Sequence, residues 1–482
     1  MSVSTIKQWL KTNYGKVAIA GVLLLSLVIF ALISLVNHNL FRTYCLDLGY
    51  YTQCMWDYAH GRINQSILFE NNPKPCLAAH FDLYLVLFSP LIYIFGSYTL
   101  LILQIVFLLI GCFGMYKLLQ LYTDNQIIPI IAALSFSLFF GTLHAVAFDY
   151  HPDVIIAATL PWFFYVFKKK RYIVAGLLLL FILIGKENTG LLMIFVSIGL
   201  MWEVRKDKKA LLVLLGYLIF SILYTFLILQ LVMPSLDHGS QSGVYGGLYR
   251  YKDWGYSSLE ILKNILTQPL KALGALFDHE TKLEFWKCLL LSGAVIAIGK
   301  PNYLFMIIPL VAQKMLSFDP ELWNFSNHYN IIFAPIIITA CYLTLLKFSK
   351  KQVTNTLSIV ALLMALYGSY FATGGMGTQK TWFRRQNVAF YNEIHYKHPE
   401  FPIKKAQEMI EMIPENASVC ASSCFCPHLC FRDSIYVFPH NQMTETEYVL
   451  VTREWPEQDL SIFQQGYDTV AAANNLTLLR KQ

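Results

Sequence analysis

The sequence has few charged residues. Only 14% of its 482 residues are Asp, Glu, Lys or Arg, whereas 56% are hydrophobic. An ordinary soluble domain carries roughly a quarter charged residues, so this composition argues against a plain soluble fold. The deficit of charge and the long apolar runs together indicate a polytopic membrane protein. The net charge of +7 does not indicate nucleic-acid binding, because the basic residues cluster in short loops between apolar runs.

The N-terminal region lacks a clear signal-peptide cleavage site. Lys7, Lys11 and Lys16 precede an apolar run of about 20 residues, which is long enough to cross a bilayer. No small-x-small motif ends the run, and "NHNLFRTY" follows it directly. We therefore predict an uncleaved first span over residues 17–36, with the N-terminus inside. The chain also lacks an internal repeat of fixed period.

The remaining apolar segments are ordered by the rule that Lys and Arg stay on the inside. The loops "KKKR", "VRKDKK", "GKPN" and "KFSKK" all fall on one side when about eleven spans are drawn. After the first, the predicted spans cover 98–121, 127–146, 154–167, 172–184, 189–203, 210–233, 285–298, 302–317, 330–346 and 353–372. The sequence thus predicts a transmembrane domain over residues 1–375, with the tail outside.

Two long external segments are predicted between the spans. The first covers 37–97 and includes "FDLYLVLFSPLIYIF" at 81–95. That stretch is short for a span and contains Pro90, so we expect a helix at the membrane surface or entering it partway. The second external segment covers 234–284 and is rich in Gly, Ser and Tyr.

The tail, residues 376–482, is polar and mixed in charge. "KKAQEMIEMI" predicts an amphipathic helix, and "ASVCAS", "SIYVF" and "EYVLVT" predict short buried strands. "TVAAANNLTLLRK" predicts a hairpin about Asn474–Asn475. About 100 residues can hold a core of their own, so we expect a small external α/β domain.

The most informative stretch follows the first span, "CLDLGYYTQCMWDYAHG". Asp47 lies just past the membrane edge, Gly49 permits a sharp turn, and an aromatic amphipathic helix follows. A carboxylate held there could accept a proton from a sugar hydroxyl while a lipid phosphate leaves. Alternatively, Asp47 only caps the surface helix, which the residues alone favour. Asp57, His60 and Arg62 are typical of a solvated face.

A second polar motif, "FDYHPD", stands at the predicted outer end of two spans. Its Asp149, His151 and Asp153 could coordinate a divalent cation. Nothing in the sequence identifies a third protein ligand, however. The alternative is a polar turn that caps a helix beginning at Pro152.

Two further loops carry paired or basic residues. "GKENTG" places Lys186 and Glu187 between two spans, where ionisable residues are either functional or form a structural ion pair. The second external segment contains Arg250 and Lys252. A Gly- and Ser-rich loop with such residues suits a mobile segment that closes over a sugar or a phosphate, although a plain surface loop is the alternative.

Cysteines are concentrated in the predicted external segments. By the predicted topology, the external cysteines are Cys45, Cys54, Cys76, Cys420, Cys424, Cys426 and Cys430. Disulfides persist outside the cell, so we expect one or two among them. A zinc site formed by the tail cysteines and His428 is the alternative, but C-x3-C-x-C-x3-C is not a standard zinc spacing.

The order of several phrases resembles a bacterial and archaeal family of predicted membrane proteins classed as a domain of unknown function. They are "LDLGYYTQCMWDYAHG", "AHFDLYLVLFSPLIYIFG", "FDYHPD", "GKEN", "FSNHYNIIFAPII", "IPENASVCASSCFCPHLCFRDSIYVFP" and "EYVLVTRE". That family is similar in layout to the GT-C membrane glycosyltransferases, which have a first span, a long external loop with an acidic residue, many spans and often an external C-terminal domain.

The resemblance implies transfer of a sugar from a polyprenyl-phosphate carrier on the outer face of the bacterial cytoplasmic (inner) membrane. Asp47 matches the position of the usual catalytic base, although its neighbours Leu46 and Leu48 depart from the frequent paired acids. The remaining residues expected in the site are His80, Asp149, His151 and Glu187 around the substrate, with Arg250 and Lys252 near the carrier phosphate. The implied partners are the lipid-linked donor and membrane lipid, and no cofactor is expected with certainty.

Two other functions fit the same layout. A transporter or lipid flippase needs ionisable residues deep in its spans, whereas the acids here stand at the predicted outer boundary. A non-catalytic membrane scaffold would use the external domain to bind a partner. Of the three, a membrane glycosyltransferase agrees best with the placement of the acids.

Overall fold

The structure is a computed structural model of the chain. It describes residues 3–63, 65–66, 68, 74–237, 247–376, 383–397, 401–439, 443–452 and 466–482. Helices dominate the first three quarters of the chain, and a small sheet is confined to the tail.

The longer helices are numbered here in chain order. They are α1 (Val3–Asn39), α2 (Tyr50–Ala59), α3 (Thr99–Leu119), α4 (Ile127–Ser137), α5 (Phe140–Ala147), α6 (Pro152–Lys168), α7 (Tyr172–Leu183), α8 (Thr189–Glu203), α9 (Lys208–Leu227), α10 (Ser258–Thr267), α11 (Pro269–Ala275), α12 (Glu280–Leu289), α13 (Pro301–Met306), α14 (Ile308–Met315), α15 (Phe333–Leu345), α16 (Lys351–Gly375) and α17 (Ile403–Glu411). Short helical segments occupy Cys45–Gly49, Cys76–Ala79, Tyr84–Phe88, Ser89–Leu91, Ile92–Phe95, Gly96–Tyr98, Ile228–Val232, Met233–Leu236, Leu290–Ala294, Val295–Ala297, Pro320–Trp323, His328–Asn330, Arg385–Val388, Glu393–Tyr396, Cys426–Leu429 and Met443–Glu445.

Five helices of the described residues are long and apolar enough to cross a membrane, or six if the bent pair α4 and α5 is counted as one. They cover Asn13–Asn39, Tyr84–Leu119, Lys208–Leu236, His328–Leu345 and Lys351–Gly375. The prediction of about eleven spans is not confirmed, because helices such as α7 and α8 have only 12 and 15 residues and a span needs about 20. A multi-pass helical protein is confirmed, whereas the number of spans stays a prediction.

The segment 81–95 differs from the separate surface helix that the sequence predicts. It forms successive short helical turns that run into α3, so that Tyr84–Leu119 is one 36-residue candidate span. Pro90 lies in one of these turns, and Gly96 has a positive φ of 53°, a conformation that glycine adopts readily. The interruptions therefore do not end the long apolar segment.

The helices differ greatly in how much of their surface is buried. The candidate span His328–Leu345 is buried over 89% of its most apolar stretch, and Lys208–Leu236 over only 17%. The first therefore lies in the centre of the bundle. The second has an apolar surface available for lipid, which is where a lipid-facing helix is stable.

The tail contains a five-stranded mixed sheet. Its strands, numbered after the two-residue strands β1 (Gln65–Ser66) and β2 (Lys74–Pro75), are β3 (Val419–Ala421), β4 (Ile435–Val437), β5 (Tyr448–Thr452), β6 (Tyr467–Ala473) and β7 (Leu476–Lys481). The order is β4-β3-β5-β7-β6, with β3 parallel to β4 and β5, and β7 antiparallel to β5 and β6. The predicted helix, three strands and hairpin are all confirmed, and Asn474 in the hairpin turn has a φ of 51°.

The segment between α1 and α3 packs against the tail. The backbone N–H of Cys45 donates to Ser423 Oγ at 3.0 Å, and the N–H of Val437 donates to the carbonyl of Leu68 at 3.1 Å. The rings of His38 and His428 stack with centroids 4.0 Å apart. The tail sheet thereby supports the turn that carries Asp47.

Candidate functional site

Asp47 lies on a single helical turn, Cys45–Gly49, between α1 and α2. Neither this turn nor α2 has a side-chain cap at its N-terminus, so the interpretation of Asp47 as a helix cap is wrong. The backbone N–H of Tyr44, at the start of the turn, donates instead to Asp149 Oδ2 at 2.9 Å. Asp149 therefore holds the turn, and the Asp47 carboxylate remains available for another role.

Asp149 itself is fixed from α3. Gln104 donates through Nε2 to the Asp149 carbonyl at 2.6 Å and accepts from the backbone N–H of His151 at 3.1 Å. Asp149 has a φ of 50°, which Asp tolerates better than most residues. One glutamine thus sets the backbone of "FDYHPD" before α6 begins.

His151 links Asp47 to a second histidine. Its Nε2 lies 3.8 Å from Asp47 Oδ2, and its ring stacks on that of His328, with centroids 3.2 Å apart and planes within 7°. Burial, together with the charges of Lys186 and His80, lowers the pKa of His151 well below its usual value, so this ring is neutral at pH 7.

Lys186 and Glu187 do not pair with each other, which corrects one of the two interpretations of "GKENTG". Lys186 Nζ donates to Asp153 Oδ2 at 2.8 Å. Glu187 accepts from the backbone N–H of Phe81 at 3.1 Å, and its other oxygen lies 3.4 Å from His80 Nδ1. The two neighbours therefore connect to different segments, and the charge of Lys186 acts on Asp47.

The pKa values of the two carboxyl groups at the site diverge. Burial raises the pKa of Asp47 to about 7, although the charges of His80 and Lys186 oppose the rise. Burial would also raise the pKa of Glu187, but its hydrogen bond with His80 and the charges of His80 and Lys186 outweigh it and lower the pKa to about 2. Such a separation is typical of sites in which two acids have different roles.

Arg250 reaches the same region through Tyr329. Its Nε lies 3.1 Å from Asp319 Oδ2, and its guanidinium is hydrogen-bonded to the Tyr329 side chain. Lys186 Nζ lies 5.5 Å from the centre of the Tyr329 ring. Tyr329 thus stands between the two cations. Lys252 contacts Phe318 and Tyr249, with its Nζ 4.2 Å from the centre of the Phe318 ring, so its described contacts lie beside the site and not within it.

His151, Asp153 and His328 form the one group of three metal-ligating side chains found among the described residues. Their ligand atoms lie within 4.8 Å of one another, and all three residues are buried. A cation site from Asp149, His151 and Asp153 is one of two interpretations that the sequence leaves open, the other being a polar turn that caps a helix. In the structure it is His328, and not Asp149, that lies within reach of His151 and Asp153.

His328, Tyr329 and Lys186 are the residues that sequence reasoning missed or assigned no clear role. His328 belongs to "FSNHYN", directly before a predicted span, just as His151 belongs to "FDYHPD" before another. Both histidines thus stand at the start of an apolar helix. This shared position is the signal from which their proximity could have been predicted.

The predicted disulfide is confirmed for one pair, Cys54 and Cys76, which joins α2 to the segment Cys76–Ala79. In the tail, Cys420, Cys426 and Cys430 are buried thiols, and the Cys45 thiol is hydrogen-bonded with Cys426. Among the described residues, no cysteine joins a group of three metal ligands, so the zinc interpretation of the tail gains no support.

Two cavities lie away from Asp47. One, of about 630 Å³, is lined by apolar residues of α10 to α14 and of the stretches between them, and by Leu316. The next residue, Ser317, donates through Oγ to the Arg250 carbonyl at 3.0 Å. The other, of about 620 Å³, lies among basic loops that the sequence places inside, with Lys168, Arg205 and Lys300 in its wall.

Comparison with known proteins gives a family and a fold. A family model described as a predicted membrane protein (DUF2079) matches residues 37–478. No curated protein sequence matches the chain. The crystal structure of ArnT from Cupriavidus metallidurans bound to undecaprenyl phosphate resembles it with a TM-score of 0.52, over 97% of this chain and 98% of that one, at 10% sequence identity. At this identity the likeness concerns the fold, and it confirms the predicted similarity in layout to the GT-C glycosyltransferases.

Proposed function

The chain belongs to the family of predicted membrane proteins DUF2079, and from this premise we propose that it is a membrane glycosyltransferase that uses a polyprenyl-phosphate-linked sugar. The observation that supports the proposal most strongly is Asp47. Its side chain is 18% exposed, caps no helix and has a pKa of about 7. A general base is most effective when its pKa lies near the working pH.

The proposed reaction is a displacement at the anomeric carbon. Asp47 takes the proton of an acceptor hydroxyl while the oxygen of that hydroxyl forms a bond to the anomeric carbon. The bond between the carbon and the phosphate oxygen breaks, and the electron pair leaves with the lipid phosphate. His80 and Glu187, whose side chains are 47% and 15% exposed, line the approach to Asp47 and bind sugar hydroxyls.

The leaving phosphate needs positive charge, because developing negative charge is stabilised by fixed cations in such reactions. Arg250 supplies it, since its side chain is 37% exposed and is oriented by Asp319 and Tyr329. Lys252 is the second basic residue of this segment and binds the phosphate as it arrives. Lys186 is committed to Asp153 and contributes its charge from a distance.

The apolar cavity provides a path for the lipid. It is built from helices whose exposed leucines, such as Leu259, Leu266 and Leu270, suit a membrane surface. Its lining includes Leu316, and the next residue, Ser317, donates to the Arg250 carbonyl. An isoprenyl chain in this cavity would leave its phosphate beside Arg250. The fold shared with ArnT, which was crystallised with undecaprenyl phosphate, supports a lipid of this class.

The proposed location is the bacterial inner membrane, with the N-terminus inside and residues 376–482 outside. It is supported by the basic loops that follow α6 and α8, Lys168–Arg171 and Arg205–Lys209, which fall at one end of the bundle in the predicted topology. Asp47 and the tail then face outward together, in keeping with the contact between Cys45 and Ser423.

The decisive experiment measures transfer in membrane vesicles. Wild-type protein and the variant Asp47→Asn are given a panel of radiolabelled undecaprenyl-phosphate sugars, and loss of label from the lipid phase is followed. We expect a decrease of about 100-fold or more, the usual range for loss of a general base. The control is Asp57→Asn, an acid of the neighbouring helix that is paired with Arg62. Equal transfer by Asp47→Asn and wild type would refute the assignment of the base.

A further inference from the structure

Two imidazole nitrogens at the site are buried without a hydrogen-bond partner. They are Nε2 of His151 and Nδ1 of His328, and both residues are only 4% exposed. A buried polar atom left without a partner costs about 1–3 kcal/mol, and such atoms are rare in folded proteins. The rings are also stacked at 3.2 Å, so two such atoms occur side by side. Their arrangement calls for a ligand that accepts lone pairs.

Two carboxylates lie beside the stacked rings. Asp153 Oδ2 is 3.5 Å from His328 Nε2, and Asp47 Oδ2 is 3.8 Å from His151 Nε2. A second pair of stacked histidines in the chain does not show the same arrangement of nitrogens and acids. His38 and His428 also stack, but His38 is hydrogen-bonded at both nitrogens, to Thr43 and to Ser97. His428 Nε2 is also buried without a partner, so the pair at the site is distinguished by having such a nitrogen on each ring and by the acids next to them.

We propose that His151, Asp153 and His328 bind a transition-metal ion of the Zn²⁺ class. Two imidazoles and one carboxylate are a ligand set that such ions use when a fourth position stays open, whereas Mg²⁺ and Ca²⁺ prefer oxygen alone. The ligand atoms lie within 4.8 Å of one another, so small rotations of the side chains bring them to bonding distance from one ion. This inference does not depend on the proposed glycosyl transfer.

Lys186 is compatible with the ion. Its ammonium engages Oδ2 of Asp153, and a carboxylate can use its second oxygen for a metal while the first accepts a hydrogen bond. Glu187, whose carboxylate interacts with the charge of Lys186, offsets part of the combined charge of the ion and the lysine. The lysine then orients the carboxylate in the way that outer partners orient metal ligands.

Co²⁺ is the probe for the test, because it binds in zinc sites and absorbs visible light much more strongly in a four-coordinate site than when hydrated. Detergent-purified full-length protein is stripped with a chelator and titrated with CoCl₂, and Zn²⁺ content is measured separately by mass spectrometry. We expect visible absorption that saturates and is abolished by added Zn²⁺. His328→Gln and His151→Gln should each weaken binding by about 100-fold or more, since loss of even an outer partner costs 10–100-fold.

The matched control is His60→Gln, because His60 is an exposed histidine of the same segment, hydrogen-bonded to the Trp56 carbonyl and outside the cluster. It should bind Co²⁺ as wild type does. Unchanged binding in His328→Gln, or equal loss in His60→Gln, overturns the proposal. If His328→Gln does not purify as a folded protein, the wild type decides the question. A wild-type protein that contains no Zn²⁺ and shows no Co²⁺ absorption would overturn the proposed site. No step of this test requires sugar transfer, so its failure is separate from failure of the proposed enzyme.

Discussion

Asp47 and Asp149 show how two acids of the same region acquire opposite roles. The Asp149 carboxylate accepts from the backbone of Tyr44 and so holds the turn. Asp47 lies on the turn itself and does not hold the backbone in this way. Burial raises its pKa to about 7. The difference comes from which backbone N–H groups each side chain can reach, a property of the fold and not of the residue type.

Asp149→Ala is expected to destabilise the protein and to reduce transfer. The substitution removes the acceptor at the start of the Cys45–Gly49 turn, and loss of such a cap costs about 0.5–2 kcal/mol. Asp149→Asn keeps an acceptor oxygen and tolerates the positive φ, so it should be milder in both respects. Thermal unfolding in detergent and the vesicle assay measure the two effects. If Ala and Asn behaved alike, the hydrogen bond would not be what positions Asp47.

The raised pKa of Asp47 predicts a dependence of stability on pH. The folded pKa is about 7 and the usual value is 3.8, so between these pH values the folded chain binds a proton that the unfolded chain has released. Stability from this group is complete below about pH 4 and is lost as pH rises through 7. Asp47→Asn should therefore unfold at a higher temperature than wild type at pH 8, with a smaller difference at pH 5.

Transfer should show the opposite trend at the same residue. Only the ionised carboxylate accepts a proton, so the rate in wild type should rise with pH and level off above about 7. Vesicle assays over a range of pH measure this rise in rate directly. A rate already at its plateau at pH 5 would contradict an Asp47 base with a raised pKa.

At the scale of elements, the segment His328–Asn330 depends on a close approach to α5. A Cβ added to Gly141 would lie 2.5 Å from the Asn330 carbonyl oxygen, closer than real Cβ contacts. Glycine at this position lets the segment bring His328 against His151. The stacking of the two histidines therefore depends on the lack of a side chain at Gly141.

Gly141→Ala should destabilise the protein by about 1–3 kcal/mol, the usual cost of overpacking. It should also weaken Co²⁺ binding, because His328 would be displaced. The control is Gly21→Ala in α1, where an added Cβ meets nothing within 4 Å. Thermal unfolding and the Co²⁺ titration report the two effects. Equal stability of the two variants would show that the segment can move away from α5 at no cost.

Local patterns predicted many elements but few of the contacts between them. The tail helix, three strands and the hairpin at Asn474–Asn475 follow from periodicity and turn residues within each stretch. The pairing of Lys186 with Asp153 does not, since Glu187 is the nearer acid in sequence and Asp153 is 33 residues away. The stacked histidines likewise depend on how α6 and α15 pack. Periodicity carries no information about that packing.

At the scale of the whole molecule, two arginines join distant parts in different ways. Arg42 is buried at the end of α1 and donates to the carbonyls of Lys397 at 2.6 Å and Gln386 at 3.4 Å. Arg62 is exposed and pairs with Asp57 and Asp433. Both connect the first segment to residues beyond α16, but only the first does so away from water.

Arg42→Ala should cost more than about 2 kcal/mol, because a buried side chain loses two charge-assisted hydrogen bonds. Arg62→Ala should cost less than about 1 kcal/mol, as exposed ion pairs usually do. Unfolding of both variants in one detergent compares them directly, and added salt should affect only the Arg62 contact. A larger loss for Arg62→Ala would mean that the exposed contact, and not the buried one, attaches the tail.

The contact between Arg62 and Asp433 spans 371 residues of sequence. A ribosome adds about 5–20 residues per second, so roughly 20–70 s pass between synthesis of the two partners. Throughout this time the turn with Asp47 has already been made, while the sheet that supports it has not. The order of synthesis therefore delays completion of the site until the last part of the chain has arrived, and a nascent chain arrested before the tail would be inserted but inactive.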